Sequence, residues 1–279
     1  TRAVGVSAAT ARAFAGNLPF GKRVGILHNG VDLSRFPPKG PASLAGPMEP
    51  EDLRHELGLA KDTFLFCAIG QIAPRKGLRE LIEAFAETCA ASGQTHLVVV
   101  GEPLFNRDHE YRDALTELRS NLGLVSRVHF LGARKDVAHI MRSVNIVVLN
   151  SLQEPFGLVL VEAMSSGTAV LAANVGGIPE IVTNGLTGWL VSPTDLPALA
   201  ARMRDLVEHR GQLEAVQKTA IETVCPRFSE ERFLKGLQKV YAGLSLRNHL
   251  EAFPVDVSFA LSPATHTRAM SEDAGVTNA

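Results

Sequence analysis

A chain of 279 residues with 28 basic and 29 acidic side chains carries a formal net charge of -1, and 46% of its residues are hydrophobic. That is the make-up of a globular protein able to bury one sizeable core or two. It argues against a broad basic surface, so no nucleic-acid partner is expected and any phosphate binding must be local; no apolar run approaches the roughly 18 residues of a membrane-spanning helix.

In chain order, residues 1–20 imitate a secretory signal, but Ser7, Thr10 and Arg12 interrupt the apolar stretch it would need. Val4-Gly-Val-Ser7 reads instead as the tail of a strand entering a helix with Ser7 as N-cap, and the sequence is expected to begin inside a larger protein. Val24-Gly-Ile-Leu-His-Asn-Gly-Val-Asp32 reads as a strand ending in a turn, a linker towards the next domain. Residues 37–50 hold five prolines and predict an irregular excursion before a helix at 51–57. From there short β-rich runs at 64–69, 97–100, 128–131, 146–149, 168–171 and 188–191 alternate with helical patterns at 78–91, 111–122, 136–143, 157–166, 178–182 and 196–208. This alternation predicts an α/β domain with a doubly wound, parallel six-stranded sheet covered on both faces, whose ligands gather beyond the carboxyl ends of the strands. A last helix, 230–244, carries the apolar stripe Phe233, Leu237, Val240, Tyr241 and Leu244. Beyond 245 the Ser/Thr/Ala-rich end is expected to be a mobile tail, with 255–261 as a candidate edge strand. Cys67, Cys89 and Cys225 are odd in number and widely spaced, which reads as reduced structural thiols in a cytoplasmic setting.

The most informative stretch is Glu154-Pro-Phe-Gly-Leu-Val-Leu-Val-Glu162, in which two carboxylates flank a Pro/Gly turn and an apolar helix start. Glu162 interrupts an otherwise apolar run, and a buried carboxylate without a partner costs several kcal/mol, about what one ion pair or two charge-assisted hydrogen bonds return. A ligand is expected to satisfy it, the alternative being a salt bridge to a core Arg or Lys. Gly70-Gln-Ile-Ala-Pro-Arg-Lys-Gly77 places Arg75 and Lys76 beside a helix start, where free amides and the helix dipole attract anions; solvated loop charges are the competing reading. Asn174-Val-Gly-Gly-Ile-Pro-Glu180 and Pro155-Phe-Gly-Leu158 are two further candidate anion sites, each a glycine-bearing turn before a helix. No phosphate loop, dinucleotide turn, nucleophile elbow, H-E-x-x-H pair, C-x-x-C or Asp-x-Asp occurs, so neither a metal nor a cofactor is expected.

Taken together, these segments resemble a family. From about Gly5 to Leu244 the chain is similar to the carboxyl-terminal, nucleotide-sugar-binding half of GT-B-fold retaining glycosyltransferases, in particular family 4. The resemblance rests on His28 to Phe36 as interdomain linker, Gln71 to Gly77 as diphosphate loop, Glu154 to Glu162 as the paired-glutamate motif, and the segments Val175 to Glu180 and Asn184 to Gly188. It implies that residues 1–28 are a remnant of an amino-terminal acceptor domain, 29–60 a linker and loop, 61–228 a Rossmann-like donor domain, 229–245 a crossing helix and 246–279 a tail. It further implies that Lys76 holds the donor diphosphate and Glu162 the ribose hydroxyls, and that Glu154 contacts the transferred sugar. The amides of Phe156, Gly157 and Leu158 would reach sugar and diphosphate, and Gly132 with Arg134 would lie near the base. Glu154 and Lys76 are the residues expected to carry catalysis. Many members carry Arg where this chain has Gln71, so Arg75 is expected to compensate or the diphosphate to be held more weakly.

The function this resemblance implies is transfer of a sugar, with retention, from a UDP, GDP or ADP sugar to a sugar or lipid-linked acceptor. The protein would be cytoplasmic or peripheral to the inner face of a membrane, any membrane contact being made through the absent domain. Two alternatives stay open: a nucleotide-sugar epimerase of the same fold, for which no acid-base set is visible, and a non-catalytic nucleotide-sugar-binding module. A dinucleotide oxidoreductase ranks last for want of its glycine fingerprint.

Overall fold

The computed structural model describes residues 3–15, 24–38, 52–91 and 94–245. The chain opens with strand β1 (Ala3–Gly5), helix α1 (Ala8–Ala15) and strand β2 (Val24–Ile26), a small parallel pair in which Ala3 faces Val24. Ser7 caps α1 as its sequence suggests, its Oγ accepting from the Thr10 N–H at 3.0 Å. The short helix α2 (Leu53–Glu56) follows, capped by Asp52, and its buried Arg54 donates to the carbonyls of Thr63 and Ser143 and to Asn145 Oδ1. The tail beyond 245 and most of the proline-rich excursion lie outside the described residues.

The main sheet is built from β3 (Phe64–Ile69), β4 (Thr95–Val100), β5 (Val128–Gly132), β6 (Ile146–Leu149), β7 (Ala169–Ala173) and β8 (Trp189–Val191). All are parallel, in the spatial order β5-β4-β3-β6-β7-β8, which is the doubly wound arrangement predicted. Helices α3 (Leu78–Ala91), α4 (Asn106–Asn121), α5 (Val137–Ser143), α6 (Leu158–Ser165), α7 (Leu196–Glu208) and α8 (Gln212–Thr223) cover it. Alternate residues of each strand feed opposite cores. Leu65, Cys67, Val98, Val147 and Val170 pack with α5, α6 and α8, whereas Phe64, Phe66, Leu97, Val148 and Leu171 pack with α3 and α7. Burial on both faces is why these strands read as continuous apolar runs. Cys67 and Cys225 are buried free thiols, and burial pushes both up, Cys225 to about 11.

Several details differ from the sequence reading. Helix α8 went unrecognised, because its buried positions Leu213, Val216 and Ala220 are too sparse among Gln, Glu, Lys and Thr to stand out. The helix expected at 178–182 is a single tight turn, Ile178–Glu180, since the Thr183 N–H is captured by Thr187 Oγ1 at 2.9 Å. Strand β4 begins two residues before the expected Leu97, at Thr95. Helix α9 (Glu230–Ser245) crosses a boundary between two compact units at Gln238; within the first, Gly30 and Gly236 allow close approach between α9 and the segment 27–31.

At the start of β4 and β5, His96 Nδ1 lies 2.9 Å from His129 Nε2, with the rings stacked 5.2 Å apart. Burial, then His129 and Arg127, push His96 down to about 4; burial and Arg119 lower His129. An unfolded histidine titrates near 6.5, so below that pH the unfolded chain binds the extra protons. Stability is therefore full above about pH 6.5 and falls as the pH drops towards 4. Thermal unfolding from pH 7 to 4.5 should show a shallower acid loss in His96→Leu than in the wild type; parallel curves would contradict this.

Candidate functional site

The winding of the sheet reverses between its central neighbours β3 and β6, and a crevice opens at their carboxyl ends. Two loops line it. After β3 the chain runs through Gly70 into the turn Pro74–Lys76 and Gly77, which takes a left-handed conformation (φ +61°) before α3. After β6 it runs from Asn150 to Gly157 (φ +101°), the N-cap of α6, which offers no capping side chain and leaves the first amides of α6 facing outward from the helix end.

The loops are laced together. The Leu152 N–H donates to the Arg75 carbonyl at 2.9 Å, and Asn150 Nδ2 donates to the Gly77 carbonyl at 3.1 Å. A Cβ on Gly77 would overlap the Asn150 carbonyl, so glycine is required there for contact as well as for conformation. Lacing brings Lys76 Nζ to 2.6 Å from Glu154 Oε2, with the side chains only 16% and 10% exposed. Ser151 Oγ adds a bond to the same oxygen at 3.2 Å. Lys76 and Ser151 thus satisfy one Glu154 oxygen within the protein, and Oε1 is left open among the described residues. Beside them Arg75 donates to Gln71 Oε1 at 3.0 Å, and Gln71 Nε2 donates to Asp108 Oδ2 at 2.7 Å. Gln71, Arg75, Lys76 and Glu154 thus form one polar rim.

Glu162 behaves as its sequence context suggests. It is partly buried on α6 and has no hydrogen-bonding side chain among the described residues. Burial pushes its carboxyl above the usual range, with the charge of Arg35 pulling the other way. Among the described residues no cation neutralises it by direct contact.

Two other candidate segments carry contacts within the protein. Gly132 (φ +69°) ends β5 as expected, and the Ala133 N–H donates to Glu102 Oε1 at 3.2 Å. The Arg134 guanidinium, however, is held by Asp136 (2.8 and 2.7 Å) and Glu56 (2.6 and 3.0 Å), which raise its pKa further. Arg134 thus ties α2 to the turn before α5. The Gly176-Gly177 pair is likewise occupied. Gly177 donates to the Glu154 carbonyl at 3.1 Å, and a Cβ on Gly176 or Gly177 would overlap the Glu154 or Pro155 carbonyl. The pair buttresses the Glu154 loop, with Gly177 buried and Gly176 exposed. Gly176→Ala, with φ +55° and no space, should destabilise the chain by about 1–3 kcal/mol. An unchanged melting temperature would contradict that reading.

Sequence reasoning did not find Glu180, His28, Ser151 or Asn150 as working residues. Glu180 accepts from the N–H groups of Ala8 and Ala9 at 3.0 and 3.2 Å and lies 2.9 Å from His28 Nε2. Burial alone would raise its carboxyl, but these partners hold it below the usual range. The His28 ring stacks on Phe156 with centroids 5.6 Å apart and meets Phe228 edge-on. His28 and Glu180 stood in quoted motifs, yet a contact spanning 152 residues leaves no local signal. Ser151, three residues before Glu154, was the one partner that spacing could have shown.

Solved structures share this fold. Anabaena Alr3699/HepE, crystallised in complex with UDP-glucose, is 29% identical, with a TM-score of 0.76 over 86% of this chain and 63% of its own. The carboxyl-terminal domain of a glycosyl transferase group 1 family protein (LpcC) from Francisella tularensis is 26% identical, with a TM-score of 0.62 over 72% of this chain and all of its own. The fold is thus that of the carboxyl-terminal type of domain found in GT-B glycosyltransferases. The model of the family described as glycosyl transferases group 1 matches residues 49–223, and the chain belongs to that family. The D-inositol 3-phosphate glycosyltransferase of Rhodococcus jostii is 34% identical over 223 residues, 78% of this chain and 47% of the relative. The chain spans about half the length of the curated relatives it matches. No helix among the described residues is long and apolar enough to cross a membrane.

Proposed function

We propose that this chain is the donor-binding part of a glycosyltransferase that moves a sugar from a nucleoside-diphosphate sugar to a hydroxyl of a sugar or lipid-linked acceptor, with retention. The single observation that carries the reading is the pairing of a nearly buried Lys76–Glu154 contact with a partly buried Glu162, unpartnered among the described residues, on the helix that Glu154 precedes. Lys76 uses one of its three N–H donors on Glu154 and keeps two for phosphate oxygens. Glu154 Oε1 is open to a sugar hydroxyl, and Glu162 gains from a ribose diol the hydrogen bonds it lacks. As the sugar–phosphate bond breaks, its electron pair passes to the diphosphate, where Lys76 and the free amides of α6 meet the growing charge. The acceptor oxygen forms the new bond on the same face and gives its proton to a departing phosphate oxygen. The reading calls for no metal and no cofactor. It treats 1–28 as the edge of an acceptor-binding domain and 29–60 as a linker, so this chain should bind donor with little transfer. A cytoplasmic setting, with any membrane contact made elsewhere in the protein, fits it.

Thermal unfolding with UDP-, GDP- and ADP-glucose tests the proposal. One of the three should raise the melting temperature by several degrees at about 100 times its dissociation constant, and Lys76→Ala and Glu162→Ala should each abolish that shift. No shift with any donor, or equal shifts in the variants, would overturn the reading.

A further inference from the structure

The loop after β3 reaches towards both neighbouring strands. Lys76 turns to the β6 side, where it meets Glu154, and Gln71 turns to the β4 side, where its Nε2 donates at 2.7 Å to Oδ2 of Asp108 in the first turn of α4. Asp108 is 1% exposed. At its other end Gln71 Oε1 accepts from Arg75 Nη2 at 3.0 Å. The guanidinium can only donate, so the amide oxygen must face it, and that leaves Nε2 for the carboxylate. Buried carboxylate, amide and guanidinium form a relay in which each group fixes the next.

The relay ends on an exposed cation. Holding a long side chain in one geometry costs entropy, and a bond between an exposed guanidinium and a neutral amide returns little of it. Arg75 spends one of its five N–H donors on Gln71, and among the described residues no carboxylate pairs with it. Its backbone is fixed as well, since the Leu152 N–H donates to the Arg75 carbonyl at 2.9 Å. Gln71, to which the guanidinium is tied, lines the same small cavity at the end of β3 as Lys76. A cation held beside the crevice without an anion of its own is prepared for one that arrives with a ligand.

We propose that Arg75 is a second cation for the donor diphosphate, meeting it from the β4 side as Lys76 does from the β6 side, and that Asp108 is its positioning residue, acting through Gln71. This rests on the donor-site reading above. Because the relay orders the arginine before the ligand arrives, binding does not bear that cost.

The test titrates the chain calorimetrically with the nucleoside diphosphate of the donor selected above, in Arg75→Ala, Asp108→Ala, Gln71→Met and the double variants that combine Arg75→Ala with each of the others. Arg75→Ala removes an exposed side chain and keeps the carbonyl that Leu152 holds; it should bind about tenfold more weakly and lose part of the wild-type dependence on salt. Asp108→Ala and Gln71→Met should each weaken binding about threefold, since the ligand must then order the arginine itself. Once Arg75 is absent, the same two substitutions should cost no further affinity. That separates the relay from a loosening of the loop that carries Lys76, which would cost affinity in either background. Wild-type affinity in Arg75→Ala, an unchanged salt dependence, or an undiminished loss from Asp108→Ala or Gln71→Met in the Arg75→Ala background would each overturn the proposal. If Asp108→Ala does not fold, Gln71→Met cuts the same relay at its middle and decides alone. If the wild type binds neither the nucleoside diphosphate nor the nucleotide sugar, the donor-site reading has failed; binding that ignores Arg75 defeats this inference alone.

Discussion

Lys76→Ala should weaken binding of the nucleoside-diphosphate sugar by about 100-fold and lower the transfer rate of a protein carrying both halves by a further 10- to 100-fold. The affinity loss arises because the ammonium lines the crevice, held 2.6 Å from Glu154. The rate loss arises because charge grows on the diphosphate as its bond to the sugar breaks, so this contact strengthens towards the transition state. The same substitution strands Glu154, whose side chain is 10% exposed, and should cost about 3 kcal/mol of stability. Adding Glu154→Gln removes the stranded charge. The double variant should therefore regain much of the lost stability, as read by chemical denaturation, without regaining donor affinity. Recovery of both would make the pair a structural tie and nothing more.

Glu162→Gln should act in opposite directions on the free and the bound chain. In the free chain the carboxyl is pushed up by burial, and Arg35 offsets that only in part. An acid with a raised folded-state pKa holds its proton longer in the folded than in the unfolded chain. Its contribution to stability is then fully present below the unfolded value near 4.5 and is lost as the pH rises through the folded one. Glutamine escapes that loss, so the ligand-free variant should be more stable than the wild type at pH 7, by about 1 kcal/mol. The gap should close towards pH 4. Donor affinity should move the other way, falling 10- to 100-fold as charge-assisted bonds to the ribose become neutral ones. A variant that is less stable at pH 7, or binds donor as the wild type does, would show that Glu162 serves the core.

The fold was legible because the parallel sheet is buried on both faces. Runs such as 64–69 and 146–149 have no polar interruption, and the patterns between them keep the helical period. What escaped was weakly apolar or decided at a distance. Helix α8 shows only three buried positions in twelve residues. The tight turn at Ile178–Glu180 depends on a hydroxyl that takes the next amide. The candidate site was legible where the chemistry is local: Lys76 at a helix start, and two glutamates at either end of one turn. It was not legible where partners come from elsewhere in the chain. Glu56 captures Arg134 across 78 residues, and Lys76 reaches Glu154 across another 78. Local sequence shows that a carboxylate needs a partner, but only the packed loops reveal which one already has it.

The most direct measurement is a crystal structure of the chain with the selected donor bound. The account predicts the diphosphate against Lys76 and the α6 amides, a ribose hydroxyl within hydrogen-bond distance of Glu162, and a sugar hydroxyl on Glu154. A donor seated elsewhere, or one bound with Glu162 still unpartnered, would contradict it.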